Sequence, residues 1–267
     1  MILPHDKSAC KWSAQKKGYC PYDEMLSKLV SSHTSHARRC ETKECLFVEL
    51  GVGSEHELVS KHFPELAKPS GPLKREELLS NINIDAVLHD FALASVGKKS
   101  EESIFKNGPF FHVPFDMRDF DRALESVFRD LDLEELVRKG FKSFGCVLNT
   151  DTWSSPNNEG HWVAVYGQFA GPQKCVIEYF NSSGNGLAHF REIQSWIDKK
   201  KYDHPSIKIS HREVVDEPLQ GDDTVNCGVW CLLYIKSRLE GRDPKYFYKC
   251  GVNDDFVDEA RKFLFSK

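Results

Sequence analysis

The chain has 267 residues, 40% of them hydrophobic, and its 36 basic and 40 acidic side chains leave a net charge of −4. That allows one sizeable core with an appendage, and it argues against a basic coat and against nucleic acid as a partner. The longest strongly apolar run, Cys227 to Ile235, is too short to cross a bilayer, and the opening Met1-Ile-Leu-Pro-His-Asp lacks the charged-then-apolar order of a secretory signal, so no membrane is expected.

The first stretch, residues 1–76, is rich in Lys, Glu, Ser and His and carries short helical patterns at Tyr22 to Leu29 and Glu55 to Phe63. It reads as a helical N-terminal arm that packs on the core and helps to hold a substrate or a virion partner. Cys10, Cys20, Cys40 and Cys45 lie here with His33 and His36, but their spacings are too loose for a zinc site. No metal and no cofactor are expected. The nine cysteines, an odd number with no close pairing, read as reduced thiols in a cytosol-like compartment. The segment Lys68-Pro-Ser-Gly-Pro-Leu is breaker chemistry and reads as a linker whose two prolines favour a fixed placement.

Residues 77–267 read as an α+β core with a sheet packed on helices. Ile84, Val87, Leu88 and Phe91 recur at helical spacing behind a candidate cap at Asn83, and Asp121 to Lys139 suggests one or two further helices. Three β-type runs follow, Phe144 to Leu148, His161 to Phe169 and Lys174 to Phe180. A helix from His189 to Lys201, a strand from Ile207 to Val215, an apolar helix from Asn226 to Leu239 and an amphipathic helix from Asp254 to Phe265 complete the chain.

Cys227 opens the apolar helix in Val225-Asn-Cys-Gly-Val-Trp-Cys. A thiol at a helix N-terminus meets free N–H groups and the positive end of the macrodipole, which favour thiolate and pull it below its ordinary value. Taken alone, such a cysteine is more often a packed core residue. His161 starts a strand beside a polar loop, where a neutral imidazole can take a thiol proton and pass it to a leaving amine. Asn181 ends the next strand. If the two strands pair as a hairpin through Gly171-Pro172, Asn181 neighbours His161 and can accept from its ring N–H; its other reading is a turn residue in Asn-Ser-Ser-Gly. Gln220, seven residues before Cys227, can donate to a developing oxyanion together with the Cys227 N–H. Trp162 and Trp153 can roof a slot that admits only glycines, or serve ordinary packing.

The order His161-Trp, Asn181 after an aromatic strand, Gln220, then Cys227-Gly resembles the adenain and SUMO-protease superfamily of cysteine peptidases; papain-type enzymes place the cysteine first. Leu79-Ser-Asn-Ile-Asn-Ile-Asp-Ala-Val-Leu, Phe144-Gly-Cys-Val-Leu-Asn-Thr-Asp, Gly160-His-Trp-Val-Ala-Val and Ile177-Glu-Tyr-Phe-Asn-Ser-Ser-Gly-Asn narrow the likeness to the African swine fever virus-type polyprotein-processing protease of large DNA viruses. The resemblance covers roughly residues 76–265. It implies a peptidase core with a central mixed sheet packed on helices. It further implies cleavage after Gly-Gly-X type sites in structural polyproteins during virion maturation, in host cytoplasm and virion. Carried onto this chain, Cys227 is the nucleophile, His161 the base, Asn181 the orienter and Gln220 the oxyanion donor. SUMO-type members usually place Asp where Asn181 stands. Two other readings remain: removal of ubiquitin-like modifiers from host proteins, and a non-catalytic scaffold that binds Gly-Gly tails.

Overall fold

The computed structural model describes residues 68–96, 105–155 and 160–265. The expected helical patterns at Tyr22 to Leu29 and Glu55 to Phe63, and the cysteines and histidines around them, lie outside these residues. Among the described residues the elements run α1 (Asn81–Val96), β1 (Phe110–His112), β2 (Asp116–Met117), α2 (Leu133–Arg138), β3 (Ser143–Asn149), β4 (Trp162–Phe169) and β5 (Lys174–Phe180). They continue with α3 (Arg191–Asp203), β6 (Lys208–Val214), α4 (Cys227–Leu239), α5 (Tyr246–Cys250) and α6 (Asp254–Leu264).

The strands form one mixed sheet in the order β1-β3-β4-β5-β6. β3, β4 and β5 are antiparallel neighbours, β6 joins β5 in parallel, and β1 and β2 pair in parallel with successive parts of β3 along one edge. The central strands are covered on both faces, so they read as near-continuous apolar runs rather than as alternation. Val163, Val165, Cys175, Ile177 and Tyr179 meet Ile193, Trp196 and Ile197 of α3 and Leu133 and Leu136 of α2. The opposite face carries α4, every residue of which is buried. Phe180 stacks on Tyr234 at 4.3 Å. The buried Glu178 carboxylate accepts from Arg238 Nε at 2.7 Å and Tyr234 Oη at 2.8 Å, so a charge sunk in the core is fully partnered and ties α4 to β5. These contacts place the N-terminus of α4 at the sheet end where β4 begins and β5 stops.

Residues 68–80 run along α6. Lys68 Nζ donates to the Lys262 carbonyl at 2.9 Å, Arg75 pairs with Asp258 at 3.3 Å, and Gly71 lies so close to the Phe265 ring that no Cβ would fit. Leu79 ends this run buried against Gly228.

One expectation is corrected, one is narrowed and three short elements are added. The cap of α1 is Ser80: its Oγ accepts from Asn83 N at 3.2 Å while Asn83 Oδ1 accepts from Ser80 N at 3.0 Å, a reciprocal box in which Asn83 is the third helical residue. Within 121–139 only α2 is helical. The preceding stretch is held in turns by Ser126 Oγ on Asp116 and by Arg129 on the Ala123 carbonyl, bonds that compete with a helical ladder. The short β1, β2 and α5 escape the sequence reading, because two to five residues carry too little periodicity to register.

Candidate active site

β4 and β5 pair from Ala164↔Phe180 to Phe169↔Cys175, which leaves His161 and Asn181 at one end of the hairpin. His161 Nε2 lies 2.7 Å from Asn181 Oδ1. The Asn181 amide has one orientation. Its Nδ2 donates to the Asn185 carbonyl at 2.9 Å and to Tyr179 Oη at 3.1 Å, while its Oδ1 accepts from Ser183 N at 3.0 Å and Ser183 Oγ at 2.8 Å. A carbonyl can only accept and an N–H can only donate, so Oδ1 faces the imidazole and Nε2 must carry the proton. The neutral ring therefore keeps its free lone pair on Nδ1. The backbone of His161 is clamped as well: its N–H donates to Thr150 Oγ1 and its carbonyl accepts from Thr150 N, both at 2.8 Å. Gly160 before it sits against Asn149 and Asp151 with no room for a Cβ.

Cys227 is the first residue of α4 and is 5% exposed. Burial pushes its thiol above the ordinary value; the backbone amides of Trp162, Gly228 and Cys227 itself, and the positive charge of Arg261, act in the opposite direction without winning. The expectation of a thiol pulled below its ordinary value is thereby reversed: desolvation, which sequence does not display, outweighs the helix terminus. Burial also lowers His161, with the Asn181 bond opposing. Both shifts favour an uncharged thiol and imidazole over a charged pair, and no hydrogen bond joins Cys227 to His161 in this state. Cys231, one turn on, is fully buried and donates to the Trp162 carbonyl at 3.3 Å.

Gln220 lies on the loop into α4. Its Oε1 accepts from Ser182 Oγ at 2.9 Å and its Nε2 donates to the Thr224 carbonyl at 2.8 Å. The amide orientation is again determined, and one Nε2–H is left over for a ligand. Ser182, which sequence shows only as part of a turn, is fully buried, and its carbonyl also accepts from Leu219 N and Gln220 N. It links the strand end bearing Asn181 to the loop bearing Gln220. Of the two tryptophans, Trp162 is buried beside Gly228 and Trp153 is 57% exposed. Phe115 stands between them, 6.4 Å from Trp162 and 5.8 Å from Trp153, and its backbone N–H is anchored on Asp85. The three rings form one aromatic row leading away from the Cys227 turn.

A mixed sheet with a buried helix whose first residue is a cysteine, and a histidine at the end of a central strand oriented by an amide, is the pattern of a SUMO-protease-like cysteine peptidase. No protein-family model matches the chain. A relative called SUMO-1 cysteine protease S273R, from a Kenyan pig isolate of African swine fever virus, is 30% identical over 271 residues, spanning 91% of each chain. Another, called cysteine protease S273R, from a Malawian tick isolate of the same virus, is 29% identical over 271 residues with the same coverage. The crystal structure of the African swine fever virus pS273R protease aligns with a TM-score of 0.61 at 26% identity, over 96% of this chain and 92% of that one. The chain belongs to the S273R family of cysteine proteases, and it is a cysteine-type peptidase of viral kind. Among the described residues, no helix is long and apolar enough to cross a membrane.

Proposed function

We propose that the protein is an endopeptidase that cleaves after Gly-Gly-X type sites in viral structural polyproteins during virion maturation, acting in host cytoplasm and in the virion. Cys227 is the nucleophile, His161 the base, Asn181 the orienter of the base and Gln220 the oxyanion donor. The observation that carries this reading is the locked Asn181 amide, because it leaves the basic lone pair of His161 on Nδ1.

In the reaction, His161 Nδ1 takes the Cys227 proton as the sulfur adds to the scissile carbonyl carbon. The C–S bond forms and negative charge moves to the carbonyl oxygen. The spare Nε2–H of Gln220 and the Cys227 N–H stabilise that charge. Collapse breaks the C–N bond, and the imidazolium returns its proton to the leaving amine. Water, deprotonated by the same imidazole, then hydrolyses the thioester. The aromatic row of Trp162, Phe115 and Trp153 fits an acyl side without side chains, which is the support for a glycine requirement.

A second reading has an observation behind it, since a relative bears the name SUMO-1 cysteine protease: removal of a ubiquitin-like modifier from host proteins. Both substrates present a Gly-Gly acyl group to the same thiol. One experiment separates them. Purified protein and its Cys227→Ser variant are offered a Gly-Gly-Ala peptide within a longer sequence and, in parallel, SUMO- and ubiquitin-aminoacyl reporters. Peptide cleavage lost in the variant supports the first reading; turnover of a reporter alone supports the second. Turnover of neither substrate by a folded protein overturns both readings of the substrate.

A further inference from the structure

Arg261 of α6 is fully buried behind the turn that carries Cys227. Its guanidinium makes four hydrogen bonds, none of them to a carboxylate. Nε and one terminal nitrogen reach Asn226 Oδ1 at 3.1 and 2.9 Å; the same terminal nitrogen reaches the Val225 carbonyl at 3.3 Å, and the other reaches the Glu77 carbonyl at 2.8 Å. Burying a cation costs several kcal/mol unless it is compensated, so a guanidinium held only by neutral oxygens needs an account. The nearest acids address Asn226 instead: its Nδ2 donates to Asp258 at 2.8 Å and to Asp254 at 3.3 Å. Asp258 is shared with Arg75 on the outside.

Asn226 precedes α4, where an asparagine ordinarily accepts from the first helical N–H groups. It makes no such cap. With its side chain turned back to Arg261, Asp258 and Asp254, the first amides of α4 are left to Cys227 and to whatever sits on it. Arg261 thus shapes the turn and also places behind the helix terminus a positive charge that hydrogen-bonds no carboxylate.

We propose that Arg261 is a positioning residue for the reaction: it holds Val225 and Asn226 so that the α4 amides stay free, and its charge stabilises the Cys227 thiolate and the anionic intermediate. This rests on reading Cys227 as the nucleophile. The charged and titratable groups that act on that thiol are Cys231 on its own helix and Arg261 on α6. Behind Arg261 stand Asp258 and Asp254 on α6, and Arg75, Glu76 and Glu77 on the segment along it. Asp258 opposes Arg261, so the two residues must act on the sulfur with opposite sign.

The test uses the full chain with Arg261→Gln, Arg261→Lys and Asp258→Asn. Iodoacetamide alkylation is followed at the Cys227 peptide at neutral pH, where its rate tracks the thiolate fraction, alongside kcat and KM on a Gly-Gly peptide. Arg261→Gln should slow alkylation about 10-fold and reduce kcat at least as much, with KM within about twofold, as for the loss of one nearby charge. Arg261→Lys should restore most of the alkylation rate while kcat stays low, because the charge returns without the fork. Asp258→Asn should speed alkylation about threefold, since it removes the opposing carboxylate and can still accept from Asn226. Equal rates in Arg261→Gln and the parent, or shifts of the same sign in Arg261→Gln and Asp258→Asn, overturn the proposal. If Arg261→Gln does not fold, judged by its circular dichroism, Asp258→Asn decides: an unchanged or slower rate overturns it. Cys227→Ser separates the two claims, because retained cleavage there sinks the nucleophile assignment, whereas the alkylation rates measure the Arg261 field whether or not the thiol is catalytic.

Discussion

His161 and Asn181 stand just outside an antiparallel ladder, one before β4 and one after β5, and their side chains meet at 2.7 Å from Nε2 to Oδ1. The asparagine cannot flip without setting its Nδ2 against Ser183 N and its Oδ1 against the Asn185 carbonyl. The imidazole tautomer is therefore set by backbone groups two and four residues beyond Asn181 in the next turn, and this geometry underlies the first prediction.

Asn181→Ala should lower kcat/KM about 10- to 1000-fold, less than His161→Ala, because an orienter matters less than the base it holds. Asn181→Asp keeps an acceptor for His161 but sets a carboxylate oxygen against the Asn185 carbonyl. It should retain more activity than Asn181→Ala, yet lose about 1–3 kcal/mol in a denaturant melt. Equal activity loss in all three variants would contradict the ranking.

The pH profile follows from the His161 environment. Burial lowers its value below the ordinary 6.5, and the reaction needs the neutral ring. The ring should therefore be more than half neutral at pH 6.5, and activity should fall as pH drops through the lower, folded-state value. The acid limb of kcat/KM against pH is the measurement, and a midpoint above 6.5 would show that another group controls it.

Gln220→Ala should cost about 10²- to 10³-fold in kcat with little change in KM, the signature of a group that acts in the transition state. Ser182→Ala should cost less, about 10-fold, because the Gln220 amide keeps its bond to Thr224 while losing its bond to Ser182. A Ser182→Ala enzyme that changes in KM alone would place Ser182 in substrate binding instead.

Gly160→Ala should disturb the base more than the fold. The added methyl meets the Asn149 side chain and lies 2.9 Å from Asp151 Cβ, so the turn before His161 has to shift. A loss of about 1–3 kcal/mol in thermal stability is expected, with kcat falling by more than that loss explains. Wild-type kcat in a fully folded variant would mean that the loop absorbs the methyl without moving His161.

Much of this protein is legible locally. The three central strands follow from short apolar runs bounded by breakers, and α3, α4 and α6 from longer apolar patterns at helical length. The chain order of His161, Asn181, Gln220 and Cys227 is equally a property of sequence, and so is the meeting of His161 with Asn181 once two adjacent strands are taken as a hairpin. Ser80 as the cap of α1 was within reach too, because Ser80 and Asn83 have the spacing of a reciprocal box. What only the tertiary structure decided depends on groups distant in the chain. The parallel pairing of β1 and β2 with β3, the placing of Phe115 between Trp162 and Trp153, the Ser182 bond that orients Gln220, and the Arg261 bonds to the Cys227 turn join residues that no local pattern connects. The direction of the Cys227 shift is of the same kind. A helix N-terminus can be read from sequence, but desolvation is the sum of everything packed around the sulfur, and here that sum is the larger effect.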